Sequence, residues 1–124
     1  MILVITGSRH GFPRLWPALD ALVLRIGVPD EVRVREQVGV DQDARAWCRA
    51  RGYPFAADMS LPLPDCYHDG NRRMVTGCGP TDHIAGFPCP RSRGTWHCLR
   101  CGVAVGMQAW VADARTGRIA RWRA

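Results

Sequence analysis

Apolar residues recur along this chain in two rhythms, continuous or alternating runs of four to six and longer stretches at helical spacing. Ile2 to Thr6 is an unbroken apolar run that stops at Gly7-Ser8-Arg9. It predicts a buried parallel strand followed by a tight turn. Leu15, Leu19, Leu22, Val23 and Ile26 then repeat at helical spacing. Pro13 and Pro17 stand at the start of that helix, where a missing N–H is tolerated, and Gly27 and Pro29 end it. Glu31 to Arg35 alternates apolar and charged residues and predicts a second strand. Asp41 or Asp43 caps a helix running through Arg51, which Gly52 closes. Tyr53 to Met59 predicts a third strand, and Ser60 to Asp69, with Pro62 and Pro64, a surface loop.

The second half follows the same alternation. Asn71 to Cys78 predicts a short helix and Asp82 to Phe87 a fourth strand. Pro88 to Gly94 is a loop rich in Pro, Ser and Arg, and Thr95 opens a helix reaching about Val105. Gln108 to Ala112 predicts a fifth strand, turned through Ala114 to Gly117 into a last short strand that ends near Trp122. Strands alternating with helices predict an α/β fold, a Rossmann-like, mostly parallel sheet with helices on both faces. The 124 residues suit one domain, 1–124, with no repeat and no linker. A chain of this size buries roughly two-thirds of its unfolded surface and needs no staples.

Composition changes the picture in two respects. The formal net charge is +6 and every basic residue is Arg, with no Lys. Arginine forks suit bidentate phosphate binding, and a GC-rich genome produces the same bias. The excess charge favours an anionic partner. The arginines are scattered rather than gathered in a tract, which argues against a nucleic-acid arm. No apolar run approaches the ~20 residues needed to span a bilayer, and the N-terminal run has no basic flank of the signal-peptide kind. A cytoplasmic protein with reduced thiols is expected, in the host cytoplasm if the chain is viral.

Ligands of open parallel sheets bind beyond the carboxyl ends of the strands. Four polar or glycine-bearing segments are predicted to fall there: Gly7-Ser8-Arg9, Gly39-Val40-Asp41, Gly70-Asn71-Arg72 and Ser92-Arg93-Gly94-Thr95. The last three each lead into a predicted helix, whose free N–H groups suit phosphate. Ser8 and Thr95 add hydroxyls, and Arg9, Arg72 and Arg93 add charge. Each loop alone is equally an ordinary turn. His97 reads either as a phosphate-contacting or acid–base group or as a polar first-turn residue. Trp96 is the candidate for stacking on a base, while Trp47 and Trp110 read as core.

The segments Ile2-Leu3-Val4-Ile5-Thr6-Gly7-Ser8-Arg9, Gly39-Val40-Asp41 with Ala44 and Trp47, Gly70-Asn71-Arg72-Arg73-Met74-Val75, and Gly86-Phe87-Pro88 through Ser92-Arg93-Gly94-Thr95 with His97 resemble the SLOG superfamily. That Rossmann-like group includes cytokinin-activating phosphoribohydrolases and the DNA-processing protein A. The likeness is to small bacterial and phage members of its YspA-like branch, and it covers nearly the whole chain. The resemblance implies a pocket for a nucleotide or nucleotide derivative formed by Gly7, Ser8, Arg9, Gly39, Asp41, Asn71, Arg72, Ser92, Arg93, Gly94, Thr95, Trp96 and His97. It also implies frequent dimers.

Two departures shape the functional expectation. Where the family carries a glycine-rich stretch before the second helix, this chain has Arg35-Glu36-Gln37-Val38-Gly39. The phosphoribohydrolase branch places a Glu shortly after the Gly-Thr pair, but Trp96, His97 and Cys98 follow Thr95 here. Glycosidic-bond hydrolysis needs a carboxylate at the bond, and Asp41 is the matching acid that remains. The leading expectation is therefore binding of a nucleotide-derived small molecule without a cofactor. Sensing or sequestration of an ADP-ribose-type or cyclic-nucleotide signal fits, in a phage setting as a counter-defence sponge. One alternative is an enzyme acting on a nucleotide or nucleoside monophosphate, with Asp41 and His97 as the catalytic candidates. Another is a zinc-stabilised nucleic-acid adaptor built on Cys89, Cys98 and Cys101, since His97-Cys98-Leu99-Arg100-Cys101-Gly102 has knuckle spacing. Cys98 and Cys101 equally lie on one face of the predicted helix. Cys48 and Cys66 read as buried or inert thiols.

Overall fold

Leu3, Val4 and Ile5 are all excluded from solvent, which requires cover on both faces of their strand. The computed structural model describes residues 1–58 and 66–123 and supplies that cover. The elements run β1 (Ile2–Gly7), α1 (Leu15–Ile26), β2 (Glu31–Arg35), α2 (Val40–Arg51), β3 (Phe55–Asp58), α3 (Cys66–Met74), β4 (His83–Phe87), α4 (Arg93–Ala104), β5 (Gln108–Ala112) and β6 (Ile119–Trp122). The six strands form one sheet in the order β3-β2-β1-β4-β5-β6. Every pairing is parallel except that of β5 with β6. This is the α/β, Rossmann-like architecture that the alternation of patterns predicts.

Side chains alternate across the sheet, so β1 feeds two cores. Leu3 and Ile5 join Leu15, Leu19 and Leu22 of α1 and Ala44 and Trp47 of α2. Val4 joins Met74 of α3, Ile84 of β4 and Cys98 and Leu99 of α4. Polar ties fix the layers. The Trp47 indole N–H donates to Asp20 Oδ1 at 2.9 Å, and Arg51 grips the same carboxylate at 3.0 and 2.8 Å. Arg33 donates to the carbonyls of Met74 and Thr76 at 3.2 and 2.7 Å and so closes the C-terminal end of α3. Asp82 accepts from the N–H groups of Ile2 and Gly79 at 2.7 and 2.9 Å, holding β1 to the entry of β4.

Several element boundaries differ from expectation. α3 begins at Cys66, so 66–69 are helix rather than loop, and the helix ends at Met74 rather than Cys78. Asn71 and Arg72 consequently lie in the second half of a helix, and Gly70-Asn71-Arg72 leads into no helix N-terminus. A helix stretch without proline outweighs the loop reading once Pro62 and Pro64 are passed. α2 starts at Val40 with Gly39 as its N-cap, so Asp41 and Asp43 sit in the first turn instead of capping it. α4 starts at Arg93, two residues before Thr95. The expected end of the third strand at Met59 and the expected loop over 60–65 lie outside the described residues.

Gly39 has φ +82°, and a Cβ there would stand 2.4 Å from the Ser8 carbonyl oxygen and 2.5 Å from the Arg9 backbone. It lets the loop after β1 lie directly on the start of α2, where the Val40 N–H donates to the Ser8 carbonyl at 3.0 Å. Gly52 also has positive φ, but open space surrounds its Cβ position. Gly39→Ala is therefore expected to lower unfolding free energy by roughly 2–4 kcal/mol, backbone strain plus steric overlap. Gly52→Ala should cost about 1 kcal/mol, the left-handed backbone penalty alone. Denaturant titration of both variants checks this, and equal losses would contradict the close-approach account.

Candidate functional site

The order of strands reverses at β1. From β1 the chain moves outward through β2 and β3, then returns to β4 on its other side and moves outward again. The segments leaving β1 and β4 head for helices on opposite faces, which opens a crevice at their carboxyl ends. A cleft of about 360 Å³ occupies that place. Its size falls in the range of small-molecule sites, roughly 300–1,000 Å³.

The cleft brings together most of the predicted site. Gly7, Ser8 and Arg9 line it from β1 and the loop beyond, Asp41 from α2, Asn71 from α3, and Ser92, Arg93, Gly94 and Thr95 from the start of α4. Ser92 is the N-cap residue of α4 but caps no N–H group of that helix with its side chain. Its hydroxyl is engaged with Cys89 instead, accepting from the Cys89 N–H at 2.8 Å and donating to the sulfur at 3.1 Å. The Arg93 N–H donates to the Arg91 carbonyl at 3.0 Å, and the N-cap side chain reaches none of the N–H groups that follow it beside the cleft, an arrangement suited to an anion. Asn71, though not at a helix start, steadies this turn. Its side-chain amide donates to the Gly94 carbonyl at 3.3 Å and lies 2.9 Å from His97 Nδ1.

Four predicted residues stand elsewhere. Gly39 lies behind the cleft, pressed on the Ser8–Arg9 backbone. Arg72 is on the exposed side of α3. Trp96 packs against Trp122, ring centroids 5.6 Å apart. His97 lines a neighbouring hollow with Trp96 and Arg100, and its Nδ1 lies 3.8 Å from Cys101 Sγ. The catalytic candidates Asp41 and His97 are therefore not brought into one cleft. Trp47 and Trp110 are core residues. Cys89, Cys98 and Cys101 do not converge either, and no group of three or more His, Cys, Asp or Glu among the described residues is placed to hold a metal. Cys48 is buried, its thiol pushed up to about 11 by desolvation. The Cys66 side chain is outside the described residues.

Thr6, His10, Arg35, Gln37 and Arg91, none of them a site candidate from the sequence, also line the cleft, as does Cys89, which the sequence offers only as a zinc ligand. Arg35 ends β2 and is buried, its guanidinium so close to α3 that a Cβ at Gly70 would stand 2.6 Å from Nη2. The alternation of Glu31 to Arg35 showed a strand but not which arginine turns inward.

Asp41 is 6% exposed and accepts no hydrogen bond among the described residues. Burial raises its pKa to about 7, against the pull of Arg35, Arg45 and Arg9. The cleft thus sets a carboxyl held well above the usual carboxylate range among arginines 9, 35, 91 and 93. No family model matches the chain, and no curated protein matches it. No helix among the described residues is long and apolar enough to cross a membrane.

The Asp41 shift has a definite sign. Between pH 4 and 7 the folded chain holds a proton at Asp41 that the unfolded chain has lost, so this group's contribution to stability falls as pH rises through that window. Asp41→Asn is expected to exceed the parent in stability at pH 8 by on the order of 2–4 kcal/mol, the gap closing toward pH 4. Denaturant melts of both proteins at the two pH values check it. A gap independent of pH would contradict the raised pKa.

Proposed function

We propose that the chain binds a phosphate-bearing, nucleotide-derived small molecule in the cleft between the ends of β1 and β4, as the SLOG resemblance implies. The uncapped first turn of α4, with Arg93 and Arg91 beside it and Arg9 opposite, is the observation that carries this reading. A phosphate there would accept helix N–H groups and arginine forks together. Binding rather than turnover is favoured because His97 lies outside the cleft and no carboxylate follows Thr95. Sensing or sequestration of an ADP-ribose-type or cyclic-nucleotide signal is the role this chemistry fits, in a cytoplasmic protein that pairs as a dimer.

A second reading, processing of a nucleotide, is supported by Asp41, whose pKa near neutrality suits a general acid or base. Chromatography of the ligand after incubation separates the two, since a binder returns it unchanged.

Isothermal calorimetry against ADP-ribose is the direct assay, with adenine nucleotides and cyclic nucleotides in parallel. Arg93→Ala is expected to weaken binding about ten- to a hundredfold, the loss of a charge-assisted contact. Its melting temperature without ligand should stay that of the parent, because Arg93 is exposed and packs no core. Affinity should fall with added salt, less steeply in the variant. Parent-like affinity in Arg93→Ala would move the anion away from this turn. A folded chain that binds none of these ligands would end the proposal.

A further inference from the structure

Anion binding leaves the thiol of Cys89 unexplained. Cys89 sits at the bend after β4, on the wall of the cleft. Two serine hydroxyls act on its sulfur. Ser92 Oγ, which accepts the Cys89 N–H, donates to Sγ at 3.1 Å. Ser8 comes from the loop after β1, and its Oγ accepts the His10 N–H at 3.0 Å, which leaves its own hydrogen for the sulfur. These hydroxyls and the Arg91 N–H hold the thiol down at about 7. The charged groups around the cleft are mostly positive: Arg9 from the first loop, Arg35 from β2, Arg91 just before α4 and Arg93 at its start, with Asp41 from α2 and His10 beside them.

The other described cysteines contrast with it. Burial pushes Cys48 up to about 11 and Cys98 to about 12, and raises Cys78 and Cys101 as well. None of these four lines the cleft. A second, independent feature marks the cleft as built for an occupant. Asp41, more than nine-tenths buried and without a hydrogen bond among the described residues, lines the same space.

We propose that Cys89 is a nucleophile of the cleft, reactive toward carbon electrophiles that carry an anionic group. The arginines and the start of α4 would hold the anion, and the two serine hydroxyls would stabilise the sulfur as thiolate. In the step itself the thiol proton has already gone to solvent. A sulfur lone pair forms the S–C bond while the bond from that carbon to its leaving group breaks. The leaving group departs with the electron pair, so no oxidant or reductant is needed. The proposal requires only the cationic cleft and stands whether or not a nucleotide is its ligand.

The test is alkylation of the native protein with iodoacetate and with iodoacetamide between pH 5.5 and 9.5, read site by site by peptide mass spectrometry. Iodide is the leaving group in both, and only iodoacetate is anionic. At pH 7 Cys89 should react with iodoacetamide about fivefold faster or more than Cys78 and Cys101, its larger thiolate fraction outweighing the lower basicity of the sulfur. Its rate should reach half its maximum near pH 7. Its iodoacetate-to-iodoacetamide rate ratio should exceed that of free glutathione, and Arg93→Gln should lower that ratio. Cys89 labelling no faster than Cys78 and Cys101, or a ratio equal to glutathione's, would overturn the proposal. Both are read on the parent chain, so neither depends on a variant folding. Failure of ADP-ribose to bind while Cys89 keeps its anionic preference would count against the nucleotide reading alone.

Discussion

The reversal of strand order at β1 is the constraint from which the rest follows. A strand in the middle of a parallel sheet must be apolar on both faces, and β1 meets that with Leu3 and Ile5 on one side and Val4 on the other. Helices then have to cover both faces, α1 and α2 one, α3 and α4 the other. Chain leaving β1 turns toward the first layer, and chain leaving β4 toward the second. The gap between them is a consequence of topology, and every cleft residue but Asn71 of α3 is there because it ends a strand, follows one or begins a helix.

What fills the gap is electrostatically costly to the free protein. Arg35 and Asp41 are buried polar groups, and Asp41 accepts no hydrogen bond among the described residues. Burial of that kind is disfavoured unless partners compensate it. Here the arginines compensate in part, drawing the Asp41 carboxyl down from where desolvation alone would put it. The N-cap residue of α4 likewise leaves its helix uncapped and serves Cys89 instead. These departures meet in one crevice that has well-packed cores on either side.

The fold was legible in the sequence because its signals are local and repeated. The apolar run of β1, the helical spacing of Leu15 to Ile26 and the alternation of Glu31 to Arg35 each specify an element without help from neighbours. The start of α3 was not legible, since 66–69 carry few apolar residues to set a period, and Pro62 and Pro64 pull the reading toward loop. Much of the cleft lining was visible as strand-end Gly, Ser, Thr and Arg. Arg35 was not, because which face of a strand looks into a cleft depends on register with β1 and on the room left by Gly70. Cys89 read as a possible zinc ligand from its spacing to Cys98 and Cys101. Its real neighbours, Ser8 and Ser92, include a residue that only the sheet brings near. The sequence places Asn71 at a helix start, whereas it lies in the second half of α3, lining the cleft and donating to the Gly94 carbonyl.

The account stands or falls on where an anionic ligand settles. The most direct measurement is a backbone amide NMR titration of the labelled protein with ADP-ribose. Shifts concentrated at Ser8 and Arg9 and at the Arg93 to Thr95 turn, saturating together, are what the cleft at the strand reversal predicts. Shifts that gather instead around Trp96, Arg100 and Trp122, or none at any amide of the folded protein, would contradict it.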